Sequence, residues 1–425
     1  MTEQITVTVD TLGARGDGIG QFEGKPVYVT GGMPGETILV EVTDVKKNGI
    51  NGKIAEILTA SPDRQAPPCK HFGKCGSCQL QHLNRRVYAD WIRSRAEFAL
   101  KQQGISNTLF EDAFIAEPAT RRRLALKALK TSAKLVLGFN KLSSHQIEDL
   151  DECLVADADL AKLFQPLRQL LWNVLPNALL STVHLTKTDT GIDLVVETAT
   201  ELELSARELC TDFANHHDLG AFHWNNAGFL DPVIIRREPV MKFAGARVPV
   251  PPAAFLQAIE ASERRMVEVV VDACAGAKRV ADLFCGIGTF TFPLAREFQV
   301  LAVEGAREAL ASVEGGRNTA VASGVQLRQI VTKHRDLFRR PLSEKELAGF
   351  DVVVMDPPRA GAEAQATELA KSSVETVVSV SCNPNTFARD ARILIDGGFR
   401  LRSVTPIDQF LWSPHLELIG IFQRV

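Results

Sequence analysis

At 425 residues the chain is longer than one typical domain, and two or three domains are expected. It is 45% apolar and 23% charged, with a mean hydropathy near zero, which excludes the disordered and fibrous classes. No apolar run reaches about 18 residues and Met1-Thr2-Glu3-Gln4 opens no signal peptide, so no membrane span and a cytoplasmic protein are expected; a monomer is the expected state.

Residues 1–60 read as a small all-β barrel. Ile5-Thr6-Val7-Thr8-Val9 alternates with period two, and Pro26–Val29, Ile38–Val42 and Lys53–Ile57 are further short strands between glycine turns. A linker with three prolines follows, Ser61 to Pro68. Residues 61–141 hold 15 basic against 6 acidic residues, whereas residues 1–60 hold 5 against 8 and the whole chain carries only −3. One basic block on an otherwise acidic chain suits a polyanion such as RNA, although a solvated charged face is the bland equivalent. A helix is expected over Arg85–Gln103. Strands with alternating basic residues (Arg123, Lys127) are expected over Thr120–Asn140, then a helix at Leu163–Leu175 and a strand pair at Thr182–Thr198 turning at Gly191. Residues 160–245 carry no motif with obvious chemistry. These features divide the chain at about 60 and 245 into a barrel, a central α+β domain bearing a cysteine cluster, and a C-terminal domain over 246–425. In that last part helices alternate with the apolar runs 279–284, 299–304, 351–355 and 376–381, as in an α/β doubly wound sheet.

Two places in the C-terminal part carry chemistry. Asp282-Leu283-Phe284-Cys285-Gly286-Ile287-Gly288-Thr289 follows a strand and precedes a helix. It lacks the third glycine of the dinucleotide fingerprint and any phosphate-cradling lysine. Glu304 ends the next strand, where a carboxylate can accept both ribose hydroxyls. Such a pocket suits a phosphate-free nucleoside, and S-adenosylmethionine is one. Asp356-Pro357-Pro358-Arg359 and Ser381-Cys382-Asn383-Pro384 each follow a strand, and Glu417 precedes the last one. C5 of uracil is too weak a nucleophile to attack a methylsulfonium unless a thiolate first adds at C6. A carboxylate can then remove the C5 proton. Cys382, Glu417 and Asp356 supply these groups, Asp356 holding the base edge or the cofactor. The base must be flipped out for C6 to be reached.

Cysteines 69, 75 and 78, spaced by five and two residues, with Cys153 as an isolated fourth, favour a [4Fe–4S] cluster over zinc, which prefers two short-spaced pairs.

Taken together these motifs resemble the bacterial RNA uracil-C5 methyltransferases, in particular the 23S rRNA branch with a TRAM domain and an iron–sulfur cluster. Gly16-Asp17-Gly18-Ile19-Gly20 and Gly35-Glu36 look like TRAM landmarks, although the barrel has only Phe22 and Tyr28 as aromatics. The resemblance implies that Cys69, Cys75, Cys78 and Cys153 are the cluster ligands. It implies that Gln257 (in Phe255-Leu256-Gln257), Phe284, Thr289, Glu304, Asp336 and Asp356 contact S-adenosylmethionine. Cys382 would be the nucleophile and Glu417 the base. Relatives acting on the tRNA T-loop typically lack the barrel and the cluster, so 23S rRNA is the expected substrate. Cytosine-C5 methylation is disfavoured because Arg359, not cysteine, follows Pro358, and N-methylation needs no Cys382. An RNA-binding protein that has lost catalysis is the rival of a different class.

Overall fold

The computed structural model describes residues 3–425. The expected N-terminal barrel is present and closed. Its strands β1 (Gln4–Leu12), β2 (Gly18–Phe22), β3 (Lys25–Thr30), β4 (Thr37–Lys46) and β5 (Gly49–Thr59) join in the order β1-β2-β3-β5-β4. The alternation puts Ile5, Val7, Val9, Val27, Val29, Ile38 and Val40 into one interior. Gly20 is required where β1 and β2 approach, since a Cβ there would lie 2.1 Å from the Thr8 carbonyl oxygen. Glu36 is fully buried; Arg64 donates to it through Nε (2.5 Å) and Nη2 (2.8 Å), and the Met33 and Ser61 N–H groups add to the set. Burial pushes its pKa up, but these donors hold it below the usual range. The buried pair fastens the barrel to the linker.

Asn84 caps α1 (Arg85–Gln102) by accepting from Val87 N–H at 2.9 Å, and Tyr88, Trp91, Ile92, Ala96, Ala99 and Leu100 fall on one buried stripe. That stripe packs into the same core as Val377, Phe387, Leu394 and Val404 of the C-terminal part. The short strand β6 (Leu109–Phe110) pairs parallel to a C-terminal strand, with Leu109 opposite Ser403. Residues 85–110 thus build onto the C-terminal sheet before the chain enters the central one.

The central sheet comprises β7 (Arg123–Lys130), β8 (Leu135–Asn140), β9 (Ile147–Asp149), then, after the short α2 (Ala158–Ala161) and α3 (Phe164–Val174), the hairpin β10 (Leu180–Thr188) and β11 (Gly191–Thr198), and after α4 (Leu204–His216) the hairpin β12 (Ala221–Asn226) and β13 (Phe229–Ile235). Its order is β13-β12-β11-β10-β7-β8-β9. Leu124, Leu126, Val183, Leu185 and Phe222 pack with Phe164, Leu167 and Leu171 of α3. Arg123, Ala125 and Lys127 alternate onto the other face. The stretch without sequence-legible chemistry therefore completes the sheet begun by β7–β9.

A hairpin, β14 (Val240–Phe243) and β15 (Ala246–Pro249), leads to α5 (Glu260–Ala273) and the doubly wound part: β16 (Arg279–Leu283), α6 (Thr291–Leu294), β17 (Gln299–Glu304), α7 (Arg307–Ala322), β18 (Ile330–His334), α8 (Glu344–Leu347), β19 (Val352–Met355), α9 (Glu363–Lys371), β20 (Thr376–Ser381), α10 (Pro384–Asp396), β21 (Phe399–Ile407) and β22 (Glu417–Arg424). The order β18-β17-β16-β19-β20-β22-β21-β6 reverses direction of travel at β16, leaving a crevice at the carboxyl ends of β16 and β19. β16 to β20 are mutually parallel; β22 returns antiparallel between β20 and β21. Among the described residues no helix is long and apolar enough to cross a membrane.

Candidate active site

The crevice gathers the nucleoside-pocket residues expected from sequence. Phe284, the first residue past β16, adopts a left-handed φ of 58°, which turns the chain sharply. Gly286 follows at φ 55°, and a Cβ there would meet nothing within 4 Å, so the loop faces open space. Gly288 is different: its Cβ would strike the Phe292 ring at 2.7 Å, so this glycine serves packing rather than ligand approach. Glu304 at the end of β17 accepts from Gly286 N–H (2.9 Å) on one oxygen and from Gly305 and Ala306 N–H (2.7 and 2.8 Å) on the other. The Phe284 ring lies 5.4 Å from Phe338, whose N–H donates to Asp336 at 3.0 Å. Thr289 stands half-buried in the same loop. Beneath it Asp282 is fully buried; Thr291 donates to one oxygen at 2.5 Å and the other has no partner. Burial pushes Asp282 up to about 7. An open glycine loop, a carboxylate, an aromatic face and an orphaned buried oxygen fit a nucleoside.

Asp356 follows β19 beside the loop, its N–H donating to Leu283 O at 3.2 Å. Its side chain ends a relay of amides. Ala258 N–H donates to Gln409 Oε1 (2.8 Å), Gln409 Nε2 to Gln257 Oε1, and Gln257 Nε2 to Asp356 Oδ2 (3.2 Å). Gln409 was not legible in the sequence. Each amide is oriented by the one before it, so the Ala258 backbone sets which end of Gln257 meets Asp356. Burial raises Asp356 to about 7 against the opposing hydrogen bond from Gln257.

Ser381 pairs with Leu418 across β20 and β22, so Cys382 and Glu417 occupy the next opposed positions. Residues 35 apart in sequence meet because β22 inserts beside β20. Asn383 turns the chain after Cys382, its Oδ1 capping α10 and its Nδ2 donating to Arg359 O at 3.1 Å. Glu417 is 6% exposed. Burial and then Asp356 push its carboxyl well above the usual range, with Arg359 opposing. Burial, then Glu417 and Asp356, push the Cys382 thiol up to about 11, again opposed by Arg359. Cys274 and Cys285 are buried.

The loop between β21 and β22 forms the rim. Arg359 Nη2 reaches His415 Nδ1 at 3.0 Å, Arg95 Nη1 donates to Pro414 O, and the Arg121 guanidinium lies 4.9 Å over Phe410. The cysteine segment grips the same loop: Gln79 and Leu80 N–H donate to Trp412 O at 2.7 and 3.0 Å, and Trp412 N–H donates to the Tyr88 hydroxyl. Cys69, Cys75, Cys78 and Cys153 line one small cavity, with Phe72 and Phe139. Burial first, then the neighbouring thiols, push Cys75 up to about 11 and Cys78 up to about 12. Among the described residues no three His, Cys, Asp or Glu side chains converge as ligands of a single metal ion.

Comparison with known proteins agrees with this architecture. Residues 249–424 match the family described as tRNA (uracil-5-)-methyltransferase, and residues 2–55 match the TRAM domain. An uncharacterized RNA methyltransferase of Caulobacter vibrioides is 41% identical over 98% of this chain and 99% of its own. A 23S rRNA (uracil(1939)-C(5))-methyltransferase of Pectobacterium atrosepticum is 33% identical over 99% of this chain and 94% of its own. The structure of the Pyrococcus abyssi tRNA (uracil-54, C5)-methyltransferase with S-adenosyl-L-homocysteine superposes with a TM-score of 0.74 at 23% identity, over 98% of this chain and 99% of that one, which shows a shared fold. With such relatives spanning almost its full length, the chain belongs to the RNA (uracil-C5-)-methyltransferase family.

Proposed function

We propose that the protein methylates C5 of a uridine in 23S rRNA through a covalent bond from Cys382 to C6. The observation that carries the reading is the opposed placement of Cys382 and Glu417 at the ends of β20 and β22, beside Asp356 at the crevice. S-adenosylmethionine supplies the methyl group, and Phe284, Thr289, Glu304, Asp336, Asp356 and Gln257 hold it. The Cys382 thiolate adds to C6, the C5=C6 pair moves onto C5 and O4 as an enolate, and C5 takes the methyl as its bond to sulfur breaks. The Glu417 carboxylate then takes the C5 proton, the double bond re-forms and the C6–S bond breaks. Burial, then Asp356, raise the affinity of the Glu417 carboxylate for a proton, the property a base needs in this step.

Cys69, Cys75, Cys78 and Cys153 are proposed to hold a [4Fe–4S] cluster. The support is that the four thiols line one cavity and that three of them keep the five-and-two spacing with an isolated fourth, where zinc prefers two short-spaced pairs. The cluster would supply a cross-link between the cysteine segment and the chain after β9, and through Gln79 and Leu80 to the loop before Glu417. 23S rRNA is supported by the named activity of the Pectobacterium relative; the barrel does not separate the two substrates, because the Pyrococcus abyssi tRNA enzyme superposes over 98% of this chain. Tritium release from 5-tritiated uridine in 23S and tRNA transcripts tests this. Release from a 23S fragment is expected. Release from tRNA alone overturns the substrate, and none from either overturns the chemistry.

A further inference from the structure

The basic stretch of the sequence contains two kinds of arginine. Arg64, Arg85, Arg86, Arg93 and Arg122 each pair with a carboxylate: Glu36, Glu117, Asp63, Glu97 and Glu263. Among the described residues no carboxylate pairs with Arg95, Arg121, Arg123 or Arg359. These four are the ones at the rim of the crevice. Their guanidinium groups are held instead by rings and carbonyls. Arg121 lies 4.9 Å over Phe410, Arg123 5.3 Å over Phe255, and Arg95 5.1 Å over Trp91 while donating to Pro414 O. Arg359 reaches His415, which itself stands 5.5 Å from Phe410. Three of these cations act on one imidazole: burial, then Arg359, Arg95 and Arg121, push His415 down to about 4. Arg121 also faces the thiols of Cys153 and Cys78. Arg95, Arg121 and Arg123 are half-buried. Partly desolvated cations side by side repel one another, and a ligand bringing negative charge lowers that penalty.

We infer that Arg95, Arg121, Arg123 and Arg359 form a clamp for the phosphodiesters on either side of the target nucleotide. A flipped nucleotide turns its base into the pocket and leaves its two phosphates at the mouth. Arg95, Arg121 and Arg359 stand against the loop before Glu417, Arg359 also acts on the Cys382 thiol, and Arg123 lies over the exposed ring of Phe255. Arginine suits the task because its planar fork binds two phosphate oxygens at once and stacks on rings with its face. The inference rests on the RNA reading of the family and assigns the contacts that fix the strand.

The test uses the full chain, a fluorescent 23S fragment and affinity measured across a salt series. Arg123→Met keeps the aliphatic packing and removes the charge. It is expected to weaken RNA binding about tenfold and to flatten the slope of log affinity against log salt by about 0.7–0.9. Arg123→Lys restores the slope but not the whole affinity. Arg95→Met, tested alongside, should flatten the slope by the same amount. S-adenosylmethionine binding, measured by calorimetry on each variant, stays at the wild-type value and reports folding. An unchanged salt slope in both methionine variants overturns the clamp. If the unsubstituted protein binds RNA and releases tritium while those slopes are unchanged, the clamp alone fails. If the unsubstituted protein does neither, the functional reading fails instead.

Discussion

Cys382 is held as a neutral thiol in the RNA-free protein, and this has a measurable consequence. Its pKa is raised from 9.0 to about 11 by burial, then by Glu417 and Asp356, against Arg359. Two units lower the thiolate fraction about a hundredfold at any pH well below 9. The more basic thiolate is also the better nucleophile. A Brønsted coefficient of about 0.4–0.5 returns roughly tenfold, so the net rate is roughly tenfold below that of an unstructured cysteine. The assay is alkylation by iodoacetamide without RNA, following the peptide that contains Cys382 by mass spectrometry against a free cysteine peptide. The logarithm of the rate should climb with unit slope from pH 7 to beyond 10. In Glu417→Gln the inflection should move down, because the larger of the two carboxylate contributions is gone. A plateau below about pH 8.5 in the unsubstituted protein would refute the reasoning, since it means a thiolate formed before substrate arrives. If the slope holds, RNA binding itself completes the nucleophile.

Glu417→Gln should form the methylated adduct at C6 and release it slowly, visible as a band resistant to denaturing electrophoresis; Cys382→Ala should give no band while keeping S-adenosylmethionine affinity. Cys78→Ser should abolish absorbance near 400 nm after anaerobic purification, and stoichiometric zinc with no iron in the unsubstituted protein would rule the cluster out. Gln409→Glu keeps the acceptor for Ala258 N–H but cannot donate to Gln257. It should turn that amide over and cut kcat/KM about tenfold or more, the scale of one lost hydrogen bond beside a charge. Gln409→Met should fall to a similar level with thermal stability nearly retained, and a normal rate in both variants would remove the relay from the mechanism.

The alternation of Ile5–Val9 and the apolar runs from 279 to 381 made the barrel and the doubly wound sheet legible, because each is a local period. Glu304 could be placed opposite the glycine loop for the same reason: successive parallel strands end at one edge. What sequence could not carry was pairing between distant segments. Nothing local says that Gln409 orients Gln257, that Leu109 lies beside Ser403, or that α1 belongs to the core of a sheet whose main strands begin at Arg279. Gly288 looked like Gly286 in the motif, and only the Phe292 ring separates their roles. Arg95, Arg121 and Arg123 were likewise hidden within one basic block, since a count of charges does not record which of them have partners.

The placement of α1 has a consequence for how the molecule is made. Its stripe of Tyr88, Trp91, Ile92 and Leu100 emerges from the ribosome early, but the helix it packs against, α10, ends at Asp396. At roughly 5–20 residues per second, the helix waits on the order of 15–60 s for its partner. The barrel and the central sheet can close in that interval from residues already synthesised. The first helix of the catalytic core cannot, and its indole and phenol stay open to chaperones or to neighbouring nascent chains until the last tenth of the protein appears. Slowing translation after residue 246 should therefore raise aggregation, whereas slowing it within the barrel should not.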